Sequence, residues 1–153
     1  MSFCNRLAAV ALYLVGMQFA LAQPDADKGR LQYVHHCTGC HQLDGSGVPA
    51  SGVPSMRGAL GRFLQVPGGR QFIVQVPGVM NTVLSDEQIA DMMNWLLAHV
   101  TPQTVPAGTP PYTALEIASL RANRPVDVAA TREALARAYQ ARYGSDIDAP
   151  LEH

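Results

Sequence analysis

The chain has 153 residues, with 11 lysine and arginine residues against 12 aspartate and glutamate residues and a formal net charge of −1 at pH 7. Lys28 is the single lysine. This near balance argues against a protein that binds nucleic acid or an anionic membrane, because both need an excess of basic side chains.

The first 22 residues have the pattern of a secretory signal peptide. Arg6 supplies a positive charge, residues 7–19 are apolar except for one glutamine, and residues 20–22 (ALA) form a small-x-small cleavage site. The apolar run of about 16 residues is shorter than the roughly 20 that a membrane-spanning helix needs. We therefore expect export to the periplasm and no membrane span after cleavage, with an uncleaved anchor as the alternative.

After cleavage two cysteines remain, both in the stretch YVHHCTGCHQL at residues 33–43. Three kinds of site compete for this pattern. A structural zinc site usually needs two separated pairs of ligands, and no second cysteine pair follows. A redox dithiol normally follows a strand, whereas the preceding residues DADKGRLQYVHH predict a helix that begins at Asp25 or Asp27.

The third interpretation is covalent attachment of a c-type haem, for which C-x-x-C-H is the signature. One helical turn places the thiols of Cys37 and Cys40 near the two vinyl groups of a haem, and the adjacent imidazole of His41 reaches the iron. The sequence therefore predicts one haem c per chain, held by Cys37, Cys40 and His41.

A second helix is predicted in SDEQIADMMNWLLAHV. Ser85 and Gln88 have the spacing of a capping box, and apolar residues recur at helical spacing up to the helix end before Pro102. Met92 and Met93 fall in this helix, and we assign both to its core.

Two methionines remain as candidates for the second axial ligand of the iron. Met80 lies in a loop just before the second helix, where the backbone is free to aim a side chain, and we predict it as the ligand. Met56 lies closer to His41 in the sequence and is the alternative. Either methionine could instead fill a gap in the core, which is the commoner use of this residue.

These segments resemble the class I monohaem c-type cytochromes over roughly residues 25–100. DADKGRLQYVHHCTGCHQLDGSG is similar to their N-terminal helix and haem-binding turn, and LSDEQIADMMNWLLAHV to their C-terminal helix, with Trp95 as its usual aromatic residue. The resemblance implies a small all-α fold whose two helices cross near Gly29. It further implies that the Pro54 carbonyl accepts a hydrogen bond from the proximal histidine, that Met56 packs beside the haem and that Met80 binds the iron.

The residues after the second helix depart from that family. TPQTVPAGTPPY predicts an extended, proline-rich linker. One further helix should begin with a capping box at Thr113 and Glu116, and another should end at Gly144. We expect these helices to pack back onto the haem domain, although they could dock on a partner. The final residues LEH could be the remnant of an expression tag.

Residues 45–85 contain no acidic residue but include Arg57, Arg62 and Arg70. If this segment surrounds the haem, these arginines either form a mildly basic surface for partners or pair with the haem propionates. The remaining histidines, His35, His36 and His99, are expected at helix surfaces rather than on the iron.

The sequence thus predicts an all-α protein with a signal peptide over residues 1–22, a cytochrome c haem domain over 23–101, a linker over 102–112 and a helical extension over 113–153. Its expected function is to carry single electrons between redox partner proteins, for example from a dehydrogenase to a terminal oxidase, without bond chemistry of its own. Two alternatives stay open: a haem subunit of a larger periplasmic dehydrogenase, and a haem sensor or enzyme with an open sixth coordination position.

Overall fold

The computed structural model describes residues 26–151. Over this range the chain forms eight α-helices and two 3₁₀ helices, and its one isolated antiparallel bridge joins Val48 to Val53. The predicted signal peptide with its cleavage site, Asp25 and the last two residues lie outside the described residues. Within them, no helix has the length and apolar character that crossing a membrane requires. The predicted all-α class is confirmed.

The helices follow one another in the order α1 (Ala26–His36), α2 (Thr38–His41), α3 (Ala59–Phe63), α4 (Gly69–Phe72), α5 (Pro77–Met80), α6 (Asp86–His99), α7 (Ala114–Arg121) and α8 (Val128–Tyr143). The 3₁₀ helices are Pro49–Ser51 and Pro102–Thr104. The segment that follows α6, residues 102–151, is called the tail below.

The capping box predicted at the start of α6 is confirmed. Ser85 Oγ accepts a hydrogen bond from the backbone N–H of Gln88, and the Gln88 side chain accepts one from the backbone N–H of Ser85. The buried face of the helix includes Ile89, Met92 and Met93, which are 0–2% exposed. The assignment of both methionines to the core is therefore also confirmed.

Helices α1 and α6 pack against each other at Gly29. A Cβ atom at Gly29 would lie 2.3 Å from the carbonyl oxygen of Asp91 and 2.7 Å from Cβ of Trp95. One turn later Tyr33 is fully buried, and the centroid of its ring lies 5.3 Å from that of Trp95. The predicted crossing near Gly29 is confirmed, and only a residue without a side chain allows this separation.

The proline-rich segment after α6 is held on the domain formed by α1–α6. Tyr112 is 3% exposed, and its hydroxyl donates to the carbonyl of Arg70 at 2.7 Å. Its backbone N–H and C=O both bond to the side-chain amide of Asn94, in the middle of α6. The segment therefore runs along the surface of the domain and is fixed there.

The helices of the tail also pack against that domain. Helix α7 packs on α6 through the fully buried Ile117, and α8 packs on α3 and α4 through Leu135 and Tyr139. Gly144 ends α8 in the left-handed conformation, as predicted. Of the two arrangements expected for these helices, packing within the molecule is the one that the structure has.

The capping box predicted at Thr113 forms only in part. Thr113 Oγ1 accepts from the backbone N–H of Glu116, but the Glu116 carboxylate binds Arg70, with Nε–Oε1 at 2.6 Å and Nη2–Oε2 at 2.7 Å. A bidentate ion pair with a guanidinium is stronger than a hydrogen bond to one backbone amide. The carboxylate is therefore used between elements rather than within α7, and the prediction was wrong in this half.

Two of the three arginines expected at the haem edge are used to fix the tail. Arg62 is 8% exposed and donates to the carbonyls of Ile147, at 3.0 Å, and Ala149. Arg70 binds Glu116, donates to the carbonyl of Pro110 and lies 3.8 Å from the ring centroid of Tyr112. The predicted basic surface was wrong for these two residues, since Arg62 is buried and the Arg70 guanidinium is paired with Glu116. Pairing with the haem propionates stays a prediction.

Replacing Gly29 by alanine tests the helix crossing. We expect Gly29→Ala to lower the free energy of unfolding by about 2–3 kcal/mol, because the new methyl group meets a backbone oxygen that can move only if the two helices separate. The control is Gly78→Ala in α5, where a Cβ would meet no atom within 4 Å. Denaturant unfolding of both haem-loaded variants measures the difference, and equal losses would contradict the close crossing.

Candidate haem-binding site

The two cysteines and the following histidine lie on one helical turn. Helix α1 runs almost directly into α2, since the N–H of Cys37 donates to Tyr33 O at 2.9 Å and the N–H of His41 donates to Cys37 O at 2.9 Å. Both thiols are free, with Cys37 half-buried and Cys40 exposed. The turn therefore presents two unpaired thiols and an imidazole together, which is the donor set that the sequence predicted.

The core face of α6 supports this turn from behind. Cys37 Sγ lies 3.6 Å from Sδ of Met92, which is 2% exposed. Burial, and to a lesser extent the neighbouring Cys40, raises the pKa of the Cys37 thiol. The thiol thus stays protonated at neutral pH, and it lies beside the Met92 sulfur and the apolar core.

The His41 ring has a buried nitrogen without a partner. Among the described residues, its Nδ1 is the one buried side-chain nitrogen or oxygen that lacks a hydrogen bond of normal geometry. Burial lowers the pKa of His41, and the nearby carbonyl of Pro54 opposes this effect more weakly. The imidazole is therefore neutral at pH 7, the form that coordinates a metal.

A compact loop brings Pro54 back to the histidine. The N–H of Gly47 donates to His41 O at 3.0 Å, and the N–H of Met56 donates to Gly45 O at 2.8 Å. Gly47 has φ +66°, and a Cβ there would lie 2.5 Å from Pro54 O. The close approach of Pro54 to His41 is as the family resemblance implied, although the two do not form a hydrogen bond of normal geometry.

The position of the turn is further fixed by Tyr33. Its hydroxyl donates to the carbonyl of Gln42 at 2.6 Å, directly after His41. Gln42 has φ 61°, which is unusual for a residue other than glycine, so the chain reverses sharply here. Burial raises the pKa of Tyr33 to about 12, which keeps its hydroxyl a donor over the whole physiological range.

The two candidate axial methionines differ in their surroundings. Met56 is half-buried and packs against the contiguous apolar core. Met80, the last residue of α5, is 8% exposed, yet it is the one buried apolar side chain of residues 26–151 that lies outside that core. Met56 thus already serves in packing, whereas Met80 is buried at a place separate from the core.

The other described histidines are exposed on helices, as predicted. His35 and His36 are exposed near the end of α1. His99 stacks on the ring of Trp95, with centroids 5.2 Å apart, and its Nδ1 lies 2.9 Å from the carbonyl oxygen of Trp95.

Comparison with known proteins agrees with this geometry. The family model for cytochrome c matches residues 26–99, which correspond to α1–α6. A cytochrome c-552 of Thermus thermophilus is 32% identical over an alignment of 146 residues. The match covers 82% of this chain and 95% of the relative. A second cytochrome c-552 of Thermus thermophilus is 31% identical over 119 residues, covering 65% of this chain and 90% of the relative.

The chain belongs to the class I c-type cytochromes. It is accordingly a haem electron-transfer protein, and its cofactor is a covalently bound haem c with iron. The residues of the C-x-x-C-H turn fit that group: the thiols form no disulfide, the imidazole is neutral, and no hydrogen bond of normal geometry engages its buried Nδ1.

Sequence reasoning did not assign Arg121 and Arg124, which contact the loop after Met80. A weak signal was present in the order of the charges. The first acidic residue after Asp44 is Asp86, at the start of α6, while Arg121 ends α7 and Arg124 follows three residues later. The carboxylate of Asp86, which follows a long segment without acidic residues, can attract arginines that are distant in sequence. The sequence does not show which arginines these are.

Alanine substitution in the loop tests how tightly it is held beside His41. We expect Gly47→Ala to cost about 3 kcal/mol of unfolding free energy, from left-handed strain together with overlap with Pro54 O. Gly52→Ala is the matched control, because Gly52 also has positive φ but a Cβ there meets no atom within 4 Å. It should cost only about 1 kcal/mol from backbone strain. Equal costs in denaturant unfolding would show that Gly47 and Pro54 are not in contact.

Proposed function

We propose that this protein carries single electrons in the periplasm between two redox partner proteins, for example a dehydrogenase and a terminal oxidase. The observation that supports this most is Met80, a buried methionine outside the apolar core, in a chain that also carries the C-x-x-C-H turn with His41. If both side chains bind the iron, neither axial position is open to a substrate or a gas. The protein would then be a carrier rather than an enzyme or a sensor.

In this proposal Cys37 and Cys40 hold the haem through thioether bonds, and His41 and Met80 ligate the iron. When bound, the haem supplies a reversible one-electron couple between ferric and ferrous iron. A methionine and histidine pair raises the reduction potential of that couple, which suits an acceptor of electrons from a dehydrogenase. The neutral state of His41, which follows from its burial, supports its assignment as the proximal ligand.

The surrounding residues keep the proximal ligand in one orientation. The Tyr33 hydroxyl bonds to the carbonyl directly after His41, and the N–H of Gly47 bonds to the carbonyl of His41 itself. The carbonyl of Pro54 lies where it can accept a hydrogen bond from Nδ1 after a small rotation of the ring, which would orient the imidazole further. A ligand held in this way moves little when the charge of the iron changes, and rapid electron transfer requires this.

The periplasmic location rests on the signal-peptide pattern of residues 1–22. The same pattern is consistent with covalent haem attachment, which for c-type cytochromes takes place in the exported compartment.

The packing of the tail favours a self-contained carrier over a subunit that docks through its tail. The large apolar side chains of the tail that are buried, Tyr112, Ile117, Leu135, Tyr139 and Ile147, join the same apolar core as α6. A docking arm would need these side chains for its partner. In this chain they are already used within the molecule.

Substitution of the two methionines tests the proposal. In haem-loaded protein we expect Met80→Ala to abolish the weak long-wavelength methionine-to-iron absorption band of the ferric state. The reduction potential should fall by on the order of 100 mV, because a harder oxygen or nitrogen ligand, which favours ferric iron, replaces the thioether. Met56→Ala should keep the band and lose only packing.

Three results would change this conclusion. Loss of the band in Met56→Ala alone would move the ligand but keep the function. Retention in both variants would exclude both methionines. A wild-type protein that lacks the band and binds carbon monoxide readily would favour the sensor or enzyme.

A further inference from the structure

Arg121, the last residue of α7, binds the loop that follows Met80. Its Nη1 donates to Asp86 Oδ1 at 2.8 Å and to the carbonyl of Leu84 at 3.3 Å. Its Nη2 lies 3.5 Å from the carbonyl oxygens of both Met80 and Thr82. One guanidinium thus joins the end of α5, the loop and the first turn of α6.

Arg124 adds a second contact to the same loop. Its Nη2 donates to Oδ1 of Asn81 at 2.5 Å. Together the two arginines of the tail contact five of the seven residues from Met80 to Asp86, and three of the acceptors of Arg121 are backbone carbonyls. The planar fork of a guanidinium suits several acceptors at once better than an ammonium would.

Residues 81–83 of the loop have weak restraints of their own, whereas Leu84 near its end is 5% exposed and packs into the core. Asn81 is exposed, and Val83 is 88% exposed, so neither packs into the core. The N–H of Thr82 lies 3.4 Å from Val79 O, and that of Leu84 lies 3.4 Å from Thr82 Oγ1, both long for hydrogen bonds. Helix α5 has four residues, too few to be stable alone. The position of Met80 therefore depends on contacts from outside the loop.

We propose that Arg121, assisted by Arg124, is a positioning residue for the sixth ligand. It holds the loop of residues 80–86 in place and so slows the exchange of Met80 for an external ligand. This inference rests on the proposed role of Met80 as an iron ligand. Removal of Met80 from the iron needs displacement of its backbone, and that displacement strains the Arg121 contacts to the loop and to Asp86 together.

Ligand exchange measures this directly. In the exchange the iron–sulfur bond to Met80 breaks and an iron–nitrogen bond to imidazole forms, with no change in the oxidation state of the iron. Ferric, haem-loaded full-length protein is mixed with excess imidazole, and the loss of the methionine-to-iron band is followed in time. We expect exchange about tenfold faster in Arg121→Gln than in wild type, the size of effect that loss of a charge-assisted hydrogen-bond network gives.

Two further variants separate positioning from general support of the tail. Arg121→Lys keeps the charge beside Asp86 but cannot reach all the carbonyls, so its rate should lie between those of wild type and Arg121→Gln. Arg132→Gln removes a different contact of the tail, the bonds of 2.6 and 2.8 Å to Asp148. It should exchange at the wild-type rate, and amide hydrogen exchange at residues 81–84 should quicken only in the Arg121 variants.

The outcomes distinguish this inference from the proposed function. If wild type shows the band and Met80→Ala lacks it, but Arg121→Gln exchanges at the wild-type rate, the positioning role is overturned and the ligand stands. If Arg132→Gln accelerates imidazole exchange as much as Arg121→Gln does, the positioning role is overturned as well, because any loosening of the tail would then have the same effect. A wild type without the band overturns both. If Arg121→Gln fails to take up haem, the imidazole exchange rates of Arg121→Lys and Arg124→Gln test the positioning role instead. Wild-type rates in both of these variants would overturn it.

Discussion

The close contact between the backbones of α1 and α6 at Gly29 is the constraint on which the site depends. Because no side chain separates the helices there, the ring of Tyr33 lies 5.3 Å from that of Trp95 and Cys37 lies against Met92. The end of α1 continues into the C-x-x-C-H turn, so the crossing also sets the position of both thiols and of His41. A wider crossing would remove the support of this turn and expose the half-buried Cys37 further to water.

The features that could be predicted from the sequence are those whose causes lie within a few residues. The C-x-x-C-H turn and the Ser85 capping box are of this kind, since each partner is less than two helical turns away. The Thr113 capping box failed in part because Glu116 has a stronger partner in Arg70, which is distant in sequence. The surface role expected of Arg62 failed for the same reason, because its acceptors are carbonyls near the end of the chain.

The tail is a structural part of the domain rather than an addition to it. A segment with several prolines reads as a linker in the sequence, but prolines also suit a chain that runs extended along a surface, because they fix the backbone without needing a donor. Here Tyr112 anchors that segment through Asn94 and Arg70. Removal of the tail would uncover the core face of α6, so a truncated chain would report on stability before it reported on a partner.

The two proposed axial ligands are held by different parts of the molecule. The backbone at His41 is held by hydrogen bonds from the Tyr33 hydroxyl to the next carbonyl and from the N–H of Gly47 to the carbonyl of His41, all within one short stretch of sequence around the turn. The loop that carries Met80 is held by Arg121 from the tail, across a long separation in sequence. Loosening of the tail should therefore free the methionine side of the iron while the histidine side stays bound. If Met80 binds the iron as proposed, the reduction potential depends on this methionine, and the tail should then contribute to the redox property of the protein as well as to its stability.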